Sequence, residues 1–260
     1  IFPESYDSES DGICQESIRK KIMEYLIGTF FDKTTIKGNG LCGYYAILEA
    51  LRTADHSSKD VGDELREFLE LLNDSYVGDS GKVEYGLDAL QELLTYVIDH
   101  ADKKIKETAE YGAFIDELSE NIETNKTKDK TPSNTGITPD DEIKAAIKLS
   151  LEDKRYNYMS TEGFNIISKI FDKNIIIINT IIGQGEYVGD ITVYYSKNYN
   201  KNYNKIDIET TLFFELSSIT ADGVPSDSAN NHFNYLKPKE EVITAAKAAA
   251  AAAVLATVAP

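Results

Sequence analysis

The chain has 260 residues, 42% of them hydrophobic and 27% charged, which is enough apolar content for a core in one large domain. Its net charge of −17 argues against nucleic acid as a partner, because clustered Lys and Arg bind phosphate backbones, and it favours a basic protein partner. Two cysteines are too few for a disulfide framework, and no Cys and His residues have zinc-ligand spacing, so we expect a reducing compartment and no metal.

The first fifth of the chain predicts two helices separated by a loop. We expect the first helix over residues 16–31, a turn-rich loop over residues 32–41, and a second helix directly after it. The apolar residues at helical spacing are Ile18, Ile22, Tyr25 and Leu26 in the first helix and Tyr44, Ala46, Ile47, Ala50 and Leu51 in the second.

The middle of the chain predicts more helices and one irregular segment. Residues 62–122 carry apolar side chains at helical spacing, which indicates two or more helices. Residues 121–138 are polar and rich in Lys, Thr, Asn and Pro, which predicts a flexible excursion. A short acidic helix is expected after Thr138 and Pro139, which suit the N-cap and the first helical position.

The character of the sequence changes beyond residue 160. A helix is predicted over residues 164–171, and residues 174–182 (NIIIINTII) form a β-branched run typical of a buried strand. Further strands are expected at residues 191–195, 211–216 and 233–236. Because helices come first and strands later, we predict an α+β fold.

The C-terminal residues 245–260 are rich in Ala. Their uncharged stretch, residues 248–259, is too short to span a bilayer, so we expect a terminal helix and no membrane segment within this chain. Because the first residue is Ile1 rather than Met, we also expect the chain to be part of a longer protein.

Cys42 has the surroundings of a nucleophile. It lies in residues 39–46 (NGLCGYYA), at the first turn of a predicted helix and directly after a glycine-containing loop. The positive end of a helix and its unpaired N–H groups favour the thiolate, and the same groups can bind the oxyanion that forms when sulfur attacks a carbonyl. A buried, inert cysteine is the alternative from this spacing alone.

A base for this cysteine must be one of three histidines. His56 lies in a polar loop and His100 ends a helix, so both are predicted to face solvent. His232 begins an alternating segment in which Asn234 faces the same side of a strand. Asn234 can therefore orient the imidazole for a Cys-His-Asn triad, the alternative being an exposed histidine at the start of a strand.

These two segments resemble the motifs of the ovarian tumour (OTU) family of cysteine deubiquitinases. Residues 39–51 are similar to the family's nucleophile motif, Asp-Gly-x-Cys-x-aromatic-x-Ala leading into a helix, and residues 232–234 are similar to its closing His-aromatic-Asn motif. The order of the motifs agrees, and the helix and strand over residues 164–182 resemble the segment that precedes the family's central sheet. One position departs from the pattern, because Asn39 stands where the family has Asp. A second segment, residues 11–14 (DGIC), fits the short motif around Cys14, but the residues after it lack the motif's aromatic and Ala positions, so Cys42 is the preferred nucleophile.

The resemblance implies an OTU-like fold with a central β-sheet between helical regions. It places a catalytic domain over residues 1–240, a helical insertion at about residues 60–160, and an Ala-rich tail at residues 241–260. Cys42, His232 and Asn234 would be catalytic, and Asn39 and Gly40 would belong to the oxyanion loop.

The acidic helix at residues 140–153 resembles a ubiquitin-interacting motif. Its residues Ile143, Ala146, Ile147 and Ser150 share one helical face, with acids at both ends that suit a basic rim on a partner. A helix that packs on its own domain has the same pattern, so the two interpretations stay open.

The function implied by the resemblance is hydrolysis of isopeptide bonds after the C-terminal glycine of ubiquitin, with ubiquitin or polyubiquitin as the partner and no cofactor. The alternatives are an inactive ubiquitin-binding module and a cysteine protease or acyltransferase for another substrate. Composition and divergence favour a bacterial effector, or a viral or parasite protease, acting in the host cytosol.

Overall fold

The computed structural model describes residues 21–38, 40–54, 62–74, 76, 81–126, 139–152, 159–183, 186–199, 208, 210–219 and 230–258. Cys14, Asn39 and His56 lie outside these residues, as does most of the predicted excursion. The elements in chain order are α1 (residues 21–30), β1 (Phe31–Thr34), α2 (Cys42–Thr53), α3 (Asp63–Asp74), α4 (Leu87–His100), α5 (Lys103–Lys106), α6 (Ala109–Lys126), α7 (Pro139–Glu152), α8 (Thr161–Ile170), β2 (Asn174–Gly183), β3 (Glu186–Tyr194), β4 (Thr211–Ile219), β5 (Asn230–Pro238) and α9 (Glu240–Val258).

The five strands form one sheet in the order β1-β5-β4-β2-β3. β2 and β4 are parallel, and the other neighbours are antiparallel. The isoleucine-rich β2 lies inside the sheet, where a strand covered on both faces needs the β-branched side chains seen in its sequence. Helices flank the sheet, so the predicted α+β class is confirmed.

The prediction was wrong at β1, whose residues were assigned to the end of a helix and to a loop. The segment FDKT has no strand pattern of its own. It becomes a strand because it pairs with β5, where Phe31 faces Pro238 and Thr34 faces Tyr235. Pairing between segments about two hundred positions apart leaves no local signal in the sequence.

Helix α2 is the centre of the larger core. All its residues from Cys42 to Leu51 are buried, because β5, α3 and α4 pack around it. Helix α8 packs on β2 and β3 on the same side of the sheet, with α4, α6 and α7 further out. A helix buried on every side is held in place by its surroundings, so its first residue, Cys42, has a defined position.

Helix α1 packs near the opposite face of the sheet. The side of the helix that is buried there differs from the one predicted. Ile27 is buried against Phe213 and Leu236, whereas Ile22 and Tyr25 are 50% and 69% exposed. Residues 21–30 carry large apolar side chains all around the helix, so spacing alone did not identify the buried side. The helix itself was predicted correctly.

The chain leaves the sheet through β5 into α9. The Lys239 backbone N–H donates to the Phe30 carbonyl oxygen at 3.1 Å, and its Nζ donates to the Gly28 carbonyl oxygen at 2.7 Å, which ties the start of α9 to the end of α1. Of the helices in the described ranges, none combines the length and the apolar content needed to cross a bilayer.

Candidate active site

Cys42 is the first residue of α2, and the loop before it explains why the chain turns there. Gly40 has a φ of +89°, in the region that favours glycine, so the sharp entry into the helix suits this residue type. The N-cap residue is Leu41, and no side chain caps the helix. The backbone N–H groups of the first turn can therefore hydrogen-bond to groups other than a capping side chain.

Gly43 lets the start of α2 lie very close to the segment before α8. A Cβ atom built on Gly43 would lie 2.7 Å from Cβ of Met159 and 3.4 Å from Cδ2 of Phe233. No side chain fits in this space without movement of one of these neighbours. The glycine after Cys42 therefore keeps the first turn of α2 against β5.

The Cys42 sulfur lies against the backbone of β5. β1 stops pairing at Thr34, opposite Tyr235, and β5 continues beyond that point towards its first residues. There the backbone N–H of Phe233 hydrogen-bonds the sulfur, as do the backbone N–H groups of Gly43 and Cys42 itself. Burial raises the pKa of the Cys42 thiol above its ordinary value, and these three N–H groups oppose that effect in part.

His232 and Asn234 lie on the same face of β5, as predicted, and their side chains are hydrogen-bonded to each other. Asn234 is almost fully buried, at 1% exposure, and its Oδ1 accepts a hydrogen bond from the Ile36 backbone N–H at 3.3 Å. The same loop passes the imidazole, because a Cβ atom on Gly38 would lie 3.5 Å from Nδ1 of His232. The loop that leads to Cys42 thus contacts both side chains.

Burial lowers the pKa of the His232 imidazole below its ordinary value of 6.5. The hydrogen bond to Asn234 and the charge of Glu215 act in the opposite direction, whereas the charges of Lys33 and Lys82 add to the lowering. With the thiol pKa raised and the imidazole pKa lowered, both groups are neutral near pH 7 in the substrate-free protein.

Two charged residues beside this pair were missed by the sequence analysis. Glu215 of β4 is 7% exposed, accepts a hydrogen bond from Nδ2 of Asn234 at 3.0 Å, and forms an ion pair with Lys33 of β1. A glutamate in the middle of the apolar strand TLFFELSSI was the available signal, because a buried carboxylate needs partners.

His100 has its partners elsewhere. Its Nδ1 lies 2.9 Å from the Tyr96 carbonyl oxygen, its Nε2 lies 2.9 Å from Oε2 of Glu64, and its ring stacks on Tyr96. Both ring nitrogens are thus occupied at the end of α4, which leaves His232 as the histidine beside Cys42 among the described residues.

Helix α7 carries the four residues of the ubiquitin-interacting pattern. Ile147 is 3% exposed within the larger core, and Ile143 packs against that core. In this structure these two side chains contact their own domain, since α7 packs on α4 and α6. Ubiquitin binding by Ile143, Ala146, Ile147 and Ser150 stays a prediction, and the packing of the two isoleucines favours the internal alternative.

The part of the chain that the structure describes contains no group of three or more His, Cys, Asp or Glu side chains arranged to hold a metal ion. The chemistry of the site therefore has to be derived from the thiol, the imidazole and their amide and carboxylate neighbours.

No protein-family model matches the sequence, and no curated protein matches it. Among solved structures, the chain is similar to the viral OTU domain protease from Farallon virus, with 16% identity and a TM-score of 0.36. It is also similar to the viral OTU domain protease from Qalyub virus, with 11% identity and a TM-score of 0.33. Each match covers 82% of this chain and 87% of the other. TM-scores this low do not establish a shared fold, so the fold rests on this chain's own elements and the function on its own side chains.

Proposed function

We propose that this chain is a cysteine protease of the OTU type, a deubiquitinase that hydrolyses isopeptide bonds after the C-terminal glycine of ubiquitin. One observation carries the proposal. Cys42, at the start of a buried helix, is hydrogen-bonded to the backbone of Phe233, which lies between the paired side chains of His232 and Asn234. A nucleophile, a base and an orienting amide are the groups that thiol acyl transfer requires.

In the first half of the reaction, neutral His232 takes the proton of the Cys42 thiol while the sulfur attacks the carbonyl carbon of the ubiquitin C-terminal glycine. Asn234 accepts a hydrogen bond from the imidazolium that forms, which stabilises its charge and orientation. The imidazolium then protonates the departing lysine amine as the C–N bond breaks, and a thioester remains on Cys42.

In the second half, a water molecule attacks the thioester carbonyl and gives its proton to His232. As the C–S bond breaks, the imidazolium returns its proton to the sulfur and restores the thiol, and ubiquitin leaves as a carboxylic acid that loses its proton to solvent. In both halves the carbonyl oxygen becomes an oxyanion, for which we propose the first-turn N–H groups of α2 as donors. Asn39 and Gly40 are proposed as parts of the same loop, with Asn39 outside the described residues.

The substrate assignment rests on the two motifs, residues 39–51 and residues 232–234. The glycine-containing loop passes directly beside the imidazole at Gly38, and a side chain there would lie against the ring. The net charge of −17 suits a substrate with a basic surface, and we propose conjugates of ubiquitin in a host cell.

A ubiquitin derivative with a vinyl ester electrophile at its C-terminus tests this function. We expect the full chain to form one covalent adduct, with Cys42 as the modified residue in peptide mapping, because the electrophile takes the place of the scissile carbonyl beside the sulfur. The adduct is observed on a denaturing gel, with ubiquitin that ends in an ordinary carboxylate as the control.

Iodoacetamide, a small thiol reagent, separates the alternatives. If it modifies Cys42 and the ubiquitin derivative does not, the site has thiol chemistry but another substrate. Ubiquitin that binds without forming an adduct or being cleaved would indicate an inactive binding module.

The activity should persist into mildly acidic solution. The base must be neutral to take the thiol proton, and burial lowers the pKa of His232, so its neutral form persists below pH 6.5. We therefore expect the acid limb of kcat/KM, measured with a ubiquitin amide that releases a fluorophore, to lie below pH 6.5, since kcat/KM reports groups of the free enzyme. His100→Ala should leave this limb in place. An acid limb above pH 6.5 would contradict a neutral resting imidazole.

A further inference from the structure

We infer that Glu215 is a positioning residue for the imidazole of His232: its carboxylate fixes the Asn234 amide with the carbonyl oxygen towards the ring. The inference rests on the proposed function for the roles of Cys42 and His232. It adds Glu215, which lies on a different strand, as a fourth side chain to Cys42, His232 and Asn234.

The sheet places these side chains next to one another. Glu215 and Asn234 are directly opposite in the antiparallel pairing of β4 and β5, and Ser217 is opposite His232 on the same face. Nδ2 of Asn234 donates to Oε2 of Glu215 at 3.0 Å, and Oγ of Ser217 donates to the His232 carbonyl oxygen at 3.3 Å. Lys33, from β1 on the other side of β5, forms the ion pair with Glu215.

The orientation of an asparagine amide has to be specified, because its oxygen and nitrogen ends have nearly the same shape. A carboxylate only accepts hydrogen bonds, so Glu215 selects the NH₂ end of Asn234. The backbone N–H of Ile36 only donates, at 3.3 Å, so it selects the oxygen end. Because one partner only accepts and the other only donates, the Asn234 amide has one favoured orientation. In this orientation its oxygen accepts a hydrogen bond from the imidazole.

The carboxylate also has an electrostatic role. Glu215 is 7% exposed, and its charge is balanced by Lys33, as a buried carboxylate requires. Within the described ranges, the charged groups that act on the imidazole are Glu215 on β4, Lys33 on β1 and Lys82 in the segment before α4. Of these three, only Glu215 stabilises the imidazolium that forms during the reaction.

Two substitutions separate the hydrogen bond from the charge. Glu215→Gln keeps the size and an acceptor oxygen, so we expect kcat to stay within about threefold of the wild type. Glu215→Ala removes the acceptor and should lower kcat by roughly 10–100-fold, the same loss that we expect for Asn234→Ala. KM should not change, because Glu215 and Asn234 are both buried and present almost no surface to a substrate. In the double variant Glu215→Ala/Asn234→Ala, kcat should stay within about threefold of that of Asn234→Ala alone. The hydrogen-bonding role of Glu215 acts through Asn234, so only the effect of its charge is left to lose.

A second readout does not depend on the substrate. Nitrogen NMR of the His232 ring reports its pKa and its tautomer in the full chain without ubiquitin. Glu215→Gln should lower the pKa of His232, because a facing negative charge is lost and the two lysines remain. Glu215→Ala should also disturb the tautomer. The control is Glu49→Ala, which removes another buried carboxylate, 5% exposed and paired with Arg52, and should leave the ring spectrum unchanged.

Additive losses in the double variant, or an unchanged ring spectrum in Glu215→Ala, would overturn the inference. If the wild type forms no adduct with the ubiquitin derivative but the NMR changes occur as expected, the positioning role stands and the proposed substrate fails. If only the inference fails, the wild type is active but the His232 ring spectrum does not change when Glu215 is substituted.

Discussion

Cys42→Ala should abolish cleavage of di-ubiquitin and leave the fold intact. No other group at the start of α2 can form the thioester, so the loss should reach the detection limit rather than a fixed factor. The change removes one sulfur atom from a buried position and adds no bulk, so we expect it to cost roughly 1 kcal/mol in the free energy of unfolding. Di-ubiquitin cleavage on a gel and a thermal melting curve of the same sample measure both quantities.

Cys14→Ala is the matched control, because it removes the second thiol of the chain. It should retain wild-type cleavage, and its thiol should not react with the ubiquitin derivative. Residual cleavage by the Cys42 variant, lost only when Cys14 is also replaced, would assign the nucleophile to the DGIC segment instead.

His232→Ala should lower kcat/KM by about 10²–10⁴-fold, the usual contribution of a general base. The loss has two parts, since the thiol has no proton acceptor and the departing amine has no donor. The remaining thiol still has a raised pKa, so the variant should regain part of its rate as the pH rises and the thiolate forms without assistance. This recovery at alkaline pH distinguishes a missing base from a misfolded protein.

His100→Ala is the control for the imidazole. It removes the stacking on Tyr96 and the contact with Glu64, so it should lower the melting temperature slightly and leave kcat/KM unchanged. A His100 variant that loses activity while its melting curve stays normal would show that the base had been misassigned.

The parts of the site that were predictable are those whose residues lie close together in the sequence. Cys42 follows a glycine-containing loop and opens a helix, and both features are visible within eight residues. His232 and Asn234 are two positions apart in an alternating segment, so their common face follows from the geometry of any strand. The structure places the Cys42 sulfur against the backbone of Phe233, between His232 and Asn234 in the chain, and the catalytic roles of the three residues stay a prediction.

Features that depend on distant pairing were not predictable. Glu215 reaches Asn234 only through the register of β4 and β5, and Lys33 reaches Glu215 only because β1 joins the other side of β5. The close approach of Met159 to Gly43 depends on where the segment before α8 is placed. The glutamate within TLFFELSSI indicates that a buried carboxylate needs partners, but none of these segments indicates which residues the partners are.

Two helices show a second kind of limit, which is the choice of face. In α1, large apolar residues surround the helix, and the side with Ile27 is buried because Phe213 and Leu236 are available to it. In α7, the pattern of a ubiquitin-interacting motif is also the pattern of a helix on its own domain, and Ile147 is buried in that way. Periodicity identifies a helix, whereas the neighbours decide which side they cover.

The position of β5 between β1 and β4 has a consequence for biosynthesis. A nascent chain that has left the ribosome as far as β4 already contains Cys42, but it has no imidazole beside the thiol, and β1 has no strand to pair with. The thiol should be a poor nucleophile at that stage, since His232, its proposed base, is encoded 190 positions later and arrives only when β5 enters the sheet. We therefore expect the proposed activity to begin only after β5 has been synthesised and has paired with β1 and β4.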